Sequence, residues 1–143
     1  MAITSAVCNS FKTEILTAAH NFTVTTGNVF KLALYTSSAT MSKTTTAYSS
    51  GNECPDSGSY AAGGGTLTNI TPVLDSDTAV CDFADISFTT ATLAAAGMMI
   101  YNSSASNKAV EVIDFGGVKN STLGTFTITF PAAAAATAIL RVA

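Results

Sequence analysis

The sequence predicts a mainly β protein: a single-domain antiparallel β-sandwich or small barrel of about seven strands, led by one N-terminal α-helix. Three observations carry that reading. After residue 28, apolar residues recur at every second position in several short runs. Clusters of Gly, Pro, Asn, Asp and Ser separate those runs. Only the opening shows a 3.6-residue period. With 143 residues, one domain spanning 1–143 is expected, with the helix inside 1–21 and the sandwich over 29–142.

The helix rests on Val7, Phe11 and Ile15, spaced by four, with Leu16 and Ala19 widening the apolar stripe. Thr4 or Ser5 can cap its start, and His20-Asn21 can end it, which gives about four turns. Residues 29–36 (VFKLALYT) then alternate as a strand, with Phe30, Leu32 and Leu34 on a core face. Residues 37–65 hold Gly51-Asn52, Pro55-Asp56 and Gly63-Gly64-Gly65 and sustain no apolar period. They predict a long exposed loop with a short strand or turn inside it, ordered by a partner. Removing residues about Lys43 to Ser57 is therefore expected to leave a folded chain.

Strands resume over 65–71 and 78–88, divided by Asp75-Ser76-Asp77. Cys81 and Phe83 are out of phase with Ile86 and Phe88, and a bulge near Ala84-Asp85 would reconcile them. Residues 97–102 (GMMIYN) and 109–115 (AVEVIDF) read as a β-hairpin around a Ser/Asn-rich loop, stopped by Gly116-Gly117. Residues 124–130 (GTFTITF) alternate with Phe126, Ile128 and Phe130 inward, and Pro131 ends them. Residues 132–136 are all alanine, a short helix or, after Pro131, a crossover to a last strand over 138–142 (AILRV).

No catalytic, cofactor or metal residue is assigned. The one histidine, His20, falls at the expected helix end, where a partly exposed ring capping carbonyls suits it better than general-base work. One His and three scattered Cys offer no zinc spacing. Cys8 and Cys81 are expected to be buried and Cys54, beside Pro55, exposed, with no disulfide framework. Asp75, Asp77, Asp82 and Asp85 lie close together, but Asp75-Ser76-Asp77 lacks the turn Gly and bidentate Glu of a calcium loop. Solvated turn positions and outward strand positions account for all four. Gly63-Gly64-Gly65 lacks the Lys-Ser/Thr of a phosphate loop, so no small-molecule substrate is implied.

Hydrophobic residues make up 48% of the chain, enough for a core, yet only 10% of it is charged, against roughly 25% in an average soluble domain. Short Thr, Ser and Ala side chains fill the deficit. Such a surface fits a protein that lives against other subunits, and it equally fits a plain Thr-rich β domain. Six cations against nine acids, a net charge of -3, offer no basic face for nucleic acid. No run of about 18 apolar residues predicts a membrane span. The start, MAITS, lacks the basic and apolar regions of a secretory signal, so synthesis and retention in a cytosol, or exit by another route, is expected.

The blocks MAITSAVCNSFKTEIL, FKLALYTSSATMSKTTTAYSS, GSYAAGGGTLTN, MMIYNSSASNKAVEVIDFGGVKNSTLGTFTITFP and AILRVA resemble small virion structural proteins of tailed bacteriophages. The resemblance runs in the same order over nearly the whole chain and marks no active site. Two loops depart from the family: the longer stretch 52–58 with its Cys-Pro, and the pure alanine of 132–136. The resemblance implies a non-enzymatic component of the particle, a head decoration or cement protein that is made in the host bacterial cytoplasm and binds the major capsid protein and copies of itself. A tail, collar or baseplate component, with host binding among its roles, is the alternative it leaves open. Residues 37–65 and the N-terminal helix are the expected contact elements.

Overall fold

A computed structural model describes residues 2–143. In chain order the elements are β1 (Ala6–Val7), α1 (Asn9–Leu16), β2 (Phe30–Tyr35), β3 (Gly65–Thr66), β4 (Asn69–Asp75), β5 (Thr78–Phe83), β6 (Ile86–Asn102), β7 (Lys108–Ile128) and β8 (Leu140–Val142). They pair into a five-stranded antiparallel sheet, β1-β7-β6-β2-β3, and a three-stranded one, β4-β5-β8. The mainly β, sandwich-like architecture with one N-terminal helix is as the sequence predicts. Phe30, Leu32, Phe83, Phe88, Phe126 and Leu140 from both sheets belong to one buried cluster. Within it Phe22 stacks on Phe30 at 4.3 Å between ring centroids, and Phe83 meets Phe130 at 5.7 Å.

The helix is half as long as its periodicity suggests. Ala6 and Val7 are extended and pair with Val112 and Glu111 of β7, so the first turn of the expected helix is a strand. Cys8, itself extended, is the N-cap and makes no side-chain cap bond. Ser5 does not cap; its Oγ accepts the Asp114 N–H at 2.7 Å. The helix ends at Thr17 rather than at His20-Asn21. Hydrogen bonds to a neighbouring strand outcompeted helix propensity here.

β2 is buried on both faces: Ala33 is fully enclosed and Tyr35 nearly so, not only Phe30, Leu32 and Leu34. It lies between β6 and β3, beneath the long segment that follows it. Residues 65–71 belong to two strands in different sheets, β3 and β4. The phase change near Ala84-Asp85 is likewise no bulge: the chain leaves the three-stranded sheet there and enters the five-stranded one as β6.

The hairpin of β6 and β7 closes where predicted, with Asn102 opposite Lys108. It is far longer than its apolar runs suggest, at 17 and 21 residues. Gly116-Gly117 does not stop it; the pair adopts φ of 75° and 145°, conformations that glycine tolerates, and β7 continues past this bulge. After Pro131 the alanine run makes turns rather than a helix, then leads into β8.

Candidate contact surfaces

The segment 37–64 contains no extended strand, yet it is not a loose loop. Ala39, Met41, Cys54 and Tyr60 from it are buried in the main cluster. Single bridges join Met41 to Ile3, Ala47 to Lys108 and Glu53 to Tyr35. The Glu53 carboxylate organises the rest. Its Oε1 accepts hydrogen bonds from the Tyr60 hydroxyl and the Gly63 N–H, both at 2.8 Å, and its Oε2 accepts one from Tyr48. Tyr101 in turn donates to the Gly63 carbonyl, and its ring stacks on Tyr48 at 4.7 Å. The Tyr60 hydroxyl also accepts the Leu34 N–H at 2.8 Å, which ties the segment to β2. Burial, with the Glu53 charge adding to it, pushes the Tyr48 phenol well above its usual range. The segment is thus ordered by the fold itself, not by a partner, and residues 43–57 supply side chains the core needs.

Cys54 is 2% exposed, not open to solvent, because this segment folds it against β6, where its Sγ meets the Ala94 carbonyl. Burial first, then Glu53, raises its thiol to about 11. Cys8 and Cys81 are buried as predicted, and burial raises them to about 11 and about 12. All three thiols are held in the protonated, unreactive form.

His20 is not a solvent-facing cap. It is buried between α1 and the tip of the β6–β7 hairpin, with Phe11 at 4.9 Å between ring centroids. Asn102 donates from Nδ2 to His20 Nδ1 at 3.0 Å, so the ring proton sits on Nε2 and points at Glu14 Oε1, also at 3.0 Å. Lys108 reaches the other Glu14 oxygen at 3.2 Å. Burial works against the Glu14 charge, but the hydrogen bonds from His20 and Lys108 outweigh it and hold the carboxyl below its ordinary value. Every polar atom of the ring is engaged in structure, which leaves no nitrogen for proton transfer to a substrate.

The four clustered acids are dispersed by the fold, and three of them are tied to backbone. Asp75 accepts the Ala135 N–H at 2.6 Å and Asp85 the Phe130 N–H at 2.8 Å, so both anchor the C-terminal crossover. Asp82 is buried, not outward, and accepts the Phe83 N–H at 2.8 Å. Only Asp77 is a plainly solvated turn residue. Gly64 passes so close to β2 that a Cβ would lie 1.9 Å from the Leu32 carbonyl oxygen, which accounts for the glycine run as close backbone passage.

Two wide grooves are lined mainly by apolar side chains. One, of about 520 Å³, lies at the helix end of the sandwich, lined by Phe11, Ile15, Phe22, Cys81 and Leu140, with Lys12 and Arg141 also at its wall. Leu16, Leu74 and Val142 are 86%, 71% and 60% exposed. Glu111, buried on β7, is electrostatically coupled to Cys8, Cys81 and Arg141, and its Oε2 has no hydrogen-bond partner. Desolvation raises its pKa to about 8, with Arg141 opposing the rise. The second groove, of about 590 Å³, follows the outer edge of β7 and is lined by Met98, Ile113, Phe115, Phe126, Ile128 and Ile139, among others. Sequence periodicity finds the inward Phe126 and Ile128 but not the groove, because the long extension of β7 past Gly117 was not legible.

Among the described residues no group of three or more His, Cys, Asp or Glu is placed to hold a metal ion, and no helix is long and apolar enough to cross a membrane. The fold and its surfaces define a two-sheet antiparallel β protein whose histidine and most of whose clustered acids are committed to structure. Comparison with known proteins finds no matching family model, no similar curated protein and no similar solved structure.

Proposed function

We propose that this chain is a non-enzymatic structural protein of a bacteriophage virion, a decoration or cement protein that binds the assembled head through the major capsid protein. The observation that carries the reading is the sequence resemblance to small virion proteins, which extends in order across nearly the whole chain. The low-charge Ser/Thr/Ala composition supports it, since a surface with few charged side chains is cheap to desolvate against neighbouring subunits. The engagement of His20, Glu53, Asp75 and Asp85 in internal hydrogen bonds supports a non-catalytic role.

Modest contacts repeated over a lattice would stabilise the shell through many copies acting together. Of the two expected contact elements, the helix keeps its candidacy through exposed Leu16, which follows the groove-lining Ile15, whereas residues 37–65 are largely satisfied within the chain. The experiment is the copy number per purified virion, measured against the major capsid protein in separated head and tail fractions. A number comparable to the capsid protein, in heads, is expected. A number lower by roughly a hundredfold, in tails, would overturn the head assignment in favour of a small closed ring of a tail, collar or baseplate.

A further inference from the structure

We propose that residues 124–130, the end of β7 and the two residues after it, pair, antiparallel and across a two-fold axis, with the same residues of a second copy of this chain. The argument begins with an unfinished edge. On its outer side β7 pairs only with β1, through Val112 and Glu111. Beyond Asp114, whose N–H is taken by Ser5, no strand lies along that edge among the described residues. Natural sheets protect such edges with charges, prolines or short strands. Here residues 115–130 carry one charge, Lys119, and residues 124–130 carry none and no proline. The regular stretch is bounded by Leu123, in the left-handed region at φ 46°, and by Pro131.

The stretch is also its own complement. In an antiparallel pair, residues directly opposite share a face of the sheet. Centring the axis on Thr127 sets Thr125 opposite Thr129 and Phe126 opposite Ile128. It also sets Gly124 opposite Phe130, whose ring can cover the bare glycine. Thr127 meets its own copy. The Thr rows fall on the outer face, where Thr125, Thr127 and Thr129 are exposed. The aromatic and isoleucine rows fall on the inner face, along the open groove of about 590 Å³, which the partner's inner-face side chains would enter. The contact joins two five-stranded sheets through their long edges and leaves outermost the two-residue strand β3 of each copy, so it closes rather than propagates.

This names the surface for the self-association that the virion reading includes, and it rests on that part of the reading alone. The test is sedimentation of the purified chain from about 1 to about 200 µM, with a dissociation constant in the micromolar range expected of a small interface. Thr127→Glu and Thr127→Lys each place like charges opposite one another and should weaken the dimer by about fivefold or more, while both lose the same exposed hydrogen bond to the Ser87 hydroxyl at 2.8 Å and so lower the melting of the dilute monomer slightly and alike. Mixing the two variants should restore association, because Glu then faces Lys. A wild-type chain that stays monomeric throughout, or variants that dimerise as wild type does, or a mixture that fails to recover, would each overturn the proposal. So would a monomer whose edge captures only a synthetic GTFTITF peptide in excess. Head binding is scored separately: a wild-type chain that stays monomeric yet saturates heads sinks the dimer and spares the virion reading, while a wild-type dimer that binds no heads does the reverse.

Discussion

Residues 37–64 and residues 118–128 invert the usual relation between regular structure and self-sufficiency. The first stretch has no extended strand, yet it buries four apolar side chains and converges on one carboxylate. The second lies wholly in β7, broken in register only near Leu123, yet most of its residues are exposed and one edge pairs with nothing among the described residues. An irregular segment is stable when its polar groups find partners within the chain; a regular one is incomplete when a row of its backbone groups does not. The search for contact surfaces on this molecule therefore moves away from the loop and toward the strand.

The sharpest way to break that comparison is Glu53→Ala. It removes the acceptor for Tyr48, Tyr60 and the Gly63 N–H at once, and Tyr60 is only 1% exposed. A loss of about 3 kcal/mol in denaturant unfolding is expected, since a stranded buried donor such as the Tyr60 hydroxyl costs about 1–3 kcal/mol and the half-buried Tyr48 and Gly63 donors add less each. Glu53→Gln, which keeps an acceptor oxygen, should lose less. If the alanine variant loses under about 1 kcal/mol, the segment is held by its apolar contacts and the carboxylate is incidental. Deleting residues 43–57 should unfold the chain, contrary to what the loop-like sequence suggests.

That contrast shows where the sequence was readable. The hairpin tip was legible because the apolar runs on either side of Ser103–Lys108 are dense and the turn chemistry is local. Its middle, residues 89–96 and 116–123, was not, because Ala91, Ala94, Ala95 and Ala96 offer little contrast in hydrophobicity and because Gly116-Gly117 has the composition of a stop; the far end was read as a strand over 124–130, with Phe126, Ile128 and Phe130 inward. The first turn of the helix was misread because Ala6 and Val7 fit a helical stripe as well as a strand; only the distant partners Val112 and Glu111 decide between them. The Glu53 hub had no periodic signature at all. Its partners lie at irregular offsets, and an acid in a polar segment ordinarily faces solvent.

A second carboxylate sharpens the comparison, because Glu111 has the burial of a core residue without the donors that Glu53 enjoys. Its folded pKa of about 8 lies above the ordinary value of 4.5, so the folded state holds the proton more tightly than the unfolded one. Linkage then fixes the sign of this group's contribution: it is greatest below about pH 4.5, falls as pH rises from there to about 8, and levels off above that. Glu111→Gln removes the titration. The variant's stability relative to wild type should therefore rise across that window, reaching about 3 kcal/mol by pH 7. Chemical unfolding of both forms at intervals from pH 4 to pH 9 measures it. A difference that stays flat with pH would mean that water reaches the carboxylate in the folded chain.

The smallest expected effect is the most discriminating for the open strand. Leu123 is 75% exposed and Val118 45% exposed, both on the unpaired stretch of β7 and outside residues 124–130. An apolar side chain that packs within its own chain is missed when it is shortened or made polar; one left facing water is not. Leu123→Gln, unbranched because φ at this position is 46°, and Val118→Thr should each change unfolding free energy by less than about 0.5 kcal/mol in dilute solution, where any dimer has dissociated. They should also leave the concentration dependence of sedimentation unchanged, since neither residue lies in the self-complementary stretch. A loss above about 1 kcal/mol for either would mean that this part of β7 is covered within its own chain. The edge would then be no more open than residues 37–64, and the contrast between the two regions would disappear.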